Sequence, residues 1–89
     1  MKIEIELYGA SKDFSSENII KLDLKNNSRI KDLRNELIKF INKKHNGNSN
    51  FCQIVKSSAF CSEDNNIIPE NYKIIKDQKI GIIPPIGGG

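Results

Sequence analysis

The apolar period changes twice along this chain, and that change limits the possible folds more than any other feature. From Arg29 to about Lys44 apolar residues recur at helical spacing: Ile30, Leu33, Leu37, Phe40 and Ile41 fall within one arc of the wheel, while Ile38 lies outside it. On both sides of this stretch the period is two. Ile3, Ile5 and Leu7 alternate with Lys2, Glu4, Glu6 and Tyr8, so Lys2 to Tyr8 reads as a strand with one apolar and one polar face. Ile20 to Leu24 alternates in the same way, and Lys79 to Ile83 closes the pattern with Ile80 and Ile82 on one face. One helix among strands, in 89 residues, predicts a single α+β domain with one helix packed across a small sheet. A chain of this length buries roughly 60–65% of its unfolded surface, enough for one small core and too little for a deep private active site besides.

The remaining segments are assigned from punctuation. Gly9 to Glu17 is rich in turn formers, with Phe14 available to pin the loop to the core. Asn26-Asn27 breaks the second strand, and Ser28 is placed to cap the helix. Asn46 to Asn50 ends that helix, with His45 as a residue of its C-terminal cap, where a cation suits the helix dipole. The apolar run Phe51 to Lys56 reads as a strand, and so does Ala59 to Cys61, with Ser57-Ser58 as the turn between them. Ser62 to Tyr72 is polar, holds Pro69 and reads as a long loop. Ile74-Ile75 is expected to plug back into the core, and Asp77-Gln78 to turn into the last strand. Phe60 is a candidate for a partner-facing aromatic or, equally, for the core.

Composition excludes several functions. The opening residues alternate charge with apolar residues, unlike a secretory signal, and no apolar stretch approaches the ~20 residues of a membrane span. The expectation is a cytoplasmic protein without membrane contact. Cys52 and Cys61 sit in or beside apolar segments and read as reduced, half-buried small hydrophobes. Together with the single His45 they supply too few ligands for a metal site. The net charge of +3 is small, and Lys31, Lys39, Lys43 and Lys44 lie mostly on the wet side of the helix with no interleaved aromatics to stack on bases, so no nucleic-acid partner is expected.

The chain ends in Ile82-Ile83-Pro84-Pro85-Ile86-Gly87-Gly88-Gly89. Proline lacks the N–H that a sheet ladder needs, and it holds the preceding residue extended. The expected organisation is a domain over residues 1–83 followed by an extended, flexible tail over 84–89. Such a tail would reach about 20 Å and would enter a narrow channel in a partner.

With this ending the sequence resembles the ubiquitin-like β-grasp sulfur carriers, and among them the small subunit of molybdopterin synthase. That family ends in an aliphatic strand, Pro-Pro, an aliphatic residue, a small residue and Gly-Gly. Ile82-Ile83, Pro84-Pro85, Ile86, Gly87 and Gly88-Gly89 stand at those positions. Ile75-Lys76-Asp77 also resembles the family's leucine-lysine-aspartate turn before the last strand, although Gln78-Lys79 follows in place of the usual glycine-aspartate pair.

Element order and resemblance together imply a small mixed sheet under the helix, with the first and last strands adjacent and parallel. The resemblance also implies that Gly89 carries the chemistry. An activating enzyme would use ATP and Mg to make its acyl-adenylate, and a sulfur donor would convert this to a thiocarboxylate. The tail residues Pro84, Pro85, Ile86, Gly87 and Gly88 would then pass into the large subunit of molybdopterin synthase, in a heterotetramer, to deliver sulfur to cyclic pyranopterin monophosphate. The chain itself would bind no cofactor and supply no catalytic side chain. Related readings are a carrier for tRNA thiolation or thiamine synthesis, or a protein modifier conjugated through Gly89.

Overall fold

A computed structural model of the chain describes residues 1–85. The elements are β1 (Lys2–Leu7), a 3-10 helix (Gly9–Phe14), β2 (Ile19–Asp23), α1 (Ile30–Lys44), α2 (Ser49–Ser57), β3 (Ala59–Cys61) and β4 (Gln78–Ile83). The strands form one mixed sheet in the order β2-β1-β4-β3. The first and last strands are neighbours and run parallel, with Ile3 opposite Gln78 and Leu7 opposite Ile82. Ile3, Ile5 and Leu7 of β1, Ile80 and Ile82 of β4, Ile20 of β2 and Phe60 of β3 share one core with Ile30, Leu33, Leu37 and Ile41 of α1. The period-two and period-3.6 faces of the sequence therefore meet each other, as the β-grasp arrangement requires.

The segment read as a strand over Phe51 to Lys56 is the helix α2 instead. Asn48 accounts for this: its side-chain oxygen accepts the N–H of Phe51 at 3.1 Å and caps the first turn. In a helix Phe51 and Val55 stand one above the other. Val55 is fully buried, and the Phe51 ring packs 5.1 Å from Phe14 and 4.9 Å from His45. His45 is the C-cap of α1, and its Nε2 lies 2.7 Å from the carbonyl of Phe14, which ties the 3-10 helix to the same corner. Phe14 is buried in the core, as expected of the residue that pins that loop.

Ser28 does not cap α1. Its hydroxyl donates to the Lys25 carbonyl, and the N-cap is Arg29. The free N–H groups of the first turn are satisfied from the long loop: Ile30 donates to Tyr72 O at 3.1 Å and Lys31 to Glu70 O at 3.2 Å. The loop is thus the cap of the helix. Of the pair expected to plug the core, Ile74 is fully buried and Ile75 is 69% exposed, because consecutive residues of an extended segment point to opposite sides. Phe40 and Ile38 are alike in being partly buried against the core, one on each side of the fully buried Ile30, Leu33, Leu37 and Ile41, so the arc of α1 that touches the core includes Ile38, which its sequence placed outside. Phe60 belongs to the core. Cys52 is half-buried and Cys61 buried, both as free thiols.

Candidate functional site

β4 is an inner strand, hydrogen-bonded to β1 on one side and β3 on the other. Its C-terminal end emerges between Leu7, opposite Ile82, and Ala59, opposite Ile83. The chain does not leave the domain at once. Pro84 is buried and Pro85 is exposed. The Pro84 ring sits against Gly9, where a Cβ would stand 3.9 Å from both its Cγ and its Cδ. Gly9 has φ +55°, so backbone conformation rather than space calls for glycine there. Ser11 holds this bend: its hydroxyl accepts the Tyr8 N–H at 2.9 Å and donates to the Tyr8 carbonyl at 2.6 Å. The exit is therefore a fixed point built from Tyr8, Gly9, Ser11 and Pro84, and Pro85 is the first residue clear of it. Ile86, Gly87, Gly88 and the expected reactive Gly89 lie outside the described residues.

Beside the exit, the outer face of the sheet carries a polar cluster that sequence reading did not single out. Glu6, Tyr8, Cys61, Glu63, Lys79 and Gly81 line a hollow of about 230 Å³. The Tyr8 hydroxyl donates to Glu6 Oε2, and Lys79 Nζ lies 3.3 Å from Glu6 Oε1. The Tyr8 hydrogen bond, with help from Lys79, holds the Glu6 carboxyl below its ordinary range. The Glu6 carboxylate in turn raises both the Tyr8 hydroxyl and the Lys79 ammonium above theirs. Alternation alone places Glu6 with Tyr8, and Lys79 with Gly81, on one face of their strands. What brings the two strands' residues together is the β1–β4 register, which no local pattern encodes.

The cluster is a network of mutual neutralisation. Its carboxylate is already shared by two donors, and it holds no nucleophile–base pair. Among the described residues no group of three or more His, Cys, Asp or Glu side chains is placed to hold a metal ion. Also among them, no helix is long and apolar enough to cross a membrane.

No protein-family model matches the sequence, and no curated protein matches it. Solved structures do match the fold. SAMP1 from Haloferax volcanii superposes with a TM-score of 0.69 at 11% identity over 100% of both chains. A protein from Pyrococcus furiosus assigned as molybdopterin converting factor, subunit 1, gives 0.67 at 12% identity over 96% of this chain and 98% of its own. A ubiquitin from Caldiarchaeum subterraneum gives 0.63 at 12% identity over 100% and 98%. Likeness across whole chains at such low identity speaks of architecture, and it agrees with the strand order, the parallel β1–β4 pair and the helix packed on one side. This chain has the ubiquitin-like β-grasp fold.

Proposed function

We propose that the chain is a sulfur carrier of molybdenum cofactor biosynthesis that acts in the cytoplasm through Gly89. The observation that supports this best is the join between fold and ending. A β-grasp domain brings its last strand to the middle of the sheet, and Pro84-Pro85 followed by Gly87-Gly88-Gly89 continues from that strand. Pro84 packed on Gly9 fixes where the arm starts, so the reach of the last residues is set by the domain.

The chemistry follows from a carboxylate's inertness. A Gly89 carboxylate oxygen attacks the α-phosphorus of ATP on an activating enzyme, and pyrophosphate leaves. Sulfide-level sulfur from a donor, as hydrosulfide, then attacks the acyl carbon, AMP departs as the leaving group, the thiol proton is lost and a thiocarboxylate remains. Its sulfur is the better nucleophile and attacks the cyclic pyranopterin monophosphate held by the large subunit of molybdopterin synthase, where a carbon–oxygen bond to the cyclic phosphate breaks as the carbon–sulfur bond forms. Water then cleaves the acyl–sulfur bond, which leaves sulfur on the pterin and returns Gly89 as a carboxylate. The carrier is non-catalytic, since the general acids and bases belong to its partners. Glycines suit the path because a Cβ would collide where the pocket closes on the backbone.

A second reading has its own support in the likeness to a ubiquitin. Here the same acyl-adenylate passes to an amine of another protein, and an isopeptide bond forms at Gly89. Intact mass of the protein from its own cells separates the two. A sulfur-for-oxygen exchange supports the carrier, species larger by the mass of a second protein support the modifier, and an unmodified mass under active cofactor synthesis rejects both.

A further inference from the structure

The two edges of the sheet are treated differently. The β3 edge is covered by the long loop: Ile67 bridges to Cys61, Ile68 N–H donates to Phe60 O at 2.8 Å, and Ser62 N–H to Asn66 O at 2.9 Å. Among the described residues the β2 edge has no such cover: β2 ends the sheet order and pairs with β1. Leu24 exchanges both backbone hydrogen bonds with Met1, and Asn18 O accepts from Leu7 N–H. By the alternation of an antiparallel ladder, residues 18, 20, 22 and 24 bond inward to β1, and Ile19, Lys21 and Asp23 direct their N–H and C=O groups outward. An uncovered edge of this kind is a template for another strand.

We infer that the occupant of this edge is β2 of a second copy of the chain, paired antiparallel about Leu22 to join two sheets into one. The register follows from the residues. Outward-bonding positions must face each other, and among such registers those centred on residue 20, 21 or 22 keep most of β2 paired. Centring on Lys21 sets lysine against lysine, and centring on Ile20 sets Asp23 against Glu17. Centring on Leu22 sets Lys21 against Asp23 twice, once on each side of the two-fold axis.

The charges extend across both sheets. Within one copy Lys21 stands opposite Glu4 and Asp23 opposite Lys2. In the dimer the row across four strands is therefore Glu4, Lys21, then Asp23 and Lys2 of the second copy, alternating in sign throughout. Lys21 and Asp23 are exposed and engage in no ion pair among the described residues, so both are available to the second copy. On the helix side Leu22, partly buried against the core, meets its own copy, and Ile20 lies opposite Leu24.

This surface is separate from the tail chemistry and holds whether or not Gly89 carries sulfur. Sedimentation equilibrium of the full chain, run from about 10 µM to about 1 mM, covers the affinity expected of a short strand pair. A concentration-dependent dimer is expected, with amide exchange at Ile19, Lys21 and Asp23 slowing as it forms. Lys21→Asp or Asp23→Lys reverses both symmetric pairs and weakens association by about tenfold. The double variant Lys21→Asp/Asp23→Lys restores association, even though its pairs with Glu4 and Lys2 inside each copy are now unfavourable. Deleting Gly89 leaves the dimer unchanged, so loss of sulfur transfer and loss of pairing are read separately. A chain that stays monomeric throughout, a dimer indifferent to the single reversals, or one that leaves those three amides unprotected overturns the inference.

Discussion

The Tyr8 ring lies so close over Gly81 that a Cβ on residue 81 would stand 2.9 Å from Tyr8 Cε2, and 2.8 Å from Cys61 Sγ. Side-chain-free backbone at this point lets the ring fold over the sheet and lets the buried thiol sit beneath it. Gly81→Ala is expected to destabilise the domain by about 1–3 kcal/mol, the usual cost of overpacking. Urea unfolding measures it. Combining Gly81→Ala with Cys61→Ala should recover part of the loss, and a pair of losses that simply add would show that the thiol is not the obstacle.

Arg34 holds α2 and the long loop to α1. Its Nη1 donates to the carbonyls of Val55 and, at 2.7 Å, Ser58. Its Nη2 pairs with Glu70, and the guanidinium lies 4.8 Å from the centre of the Phe60 ring. The side chain is only 16% exposed. Arg34→Ala should cost about 1.5–3 kcal/mol through carbonyls left without their charged donor. Arg34→Lys should restore only part, because a single ammonium nitrogen cannot reach both the carbonyls of Val55 and Ser58 and Glu70 as the separate guanidinium nitrogens do. Glu70→Ala, at the exposed end of the pair, should cost within about 1 kcal/mol. Equal effects at both positions would contradict this division.

The Glu6–Tyr8–Lys79 network has a definite pH signature. Glu6 is lowered in the folded protein by Tyr8 first and then by Lys79, so its contribution is present above the ordinary carboxylate value and fades as acid protonates it. Tyr8 and Lys79 are raised by Glu6, so theirs is present below their ordinary values and fades as pH rises above about 10. NMR titration should find Glu6 ionising lower, and Tyr8 higher, than in an unfolded peptide. Tyr8→Phe should return Glu6 toward the ordinary carboxylate range, and a Glu6 titration unmoved by that change would refute the hydrogen bond.

Deleting Gly89 should abolish adenylation and sulfur transfer and leave thermal unfolding within about ±0.5 kcal/mol of the parent. The deletion withdraws the reacting carboxylate by one residue, roughly 3.3–3.6 Å when extended. Misplacement by as little as 1 Å can cost on the order of 100-fold in rate. Gly88→Ala keeps the reach but adds a Cβ, and a partial to severe loss is expected. Normal sulfur loading of the Gly89 deletion would mean that the reactive centre lies elsewhere.

Local periodicity by itself determined most of the elements: β1, β2, α1, β3 and β4 stand where alternation or helical spacing puts them, because each pattern is completed within a few residues. It also determined which face of β1 and α1 is buried. The run Phe51 to Lys56 was ambiguous for a physical reason: a short apolar segment satisfies either period, and only the Asn48 cap and the packing of Phe51 on Phe14 and His45 select the helix. The capping of α1 was misread at Ser28 because its acceptors lie some forty residues away, in the loop at Glu70 and Tyr72. The β1–β4 register, the polar cluster it assembles, the burial of Pro84 on Gly9 and the uncovered β2 edge belong to the tertiary structure alone. Each is a contact between segments far apart in the chain, chosen by how the whole core closes and written in no single stretch of residues.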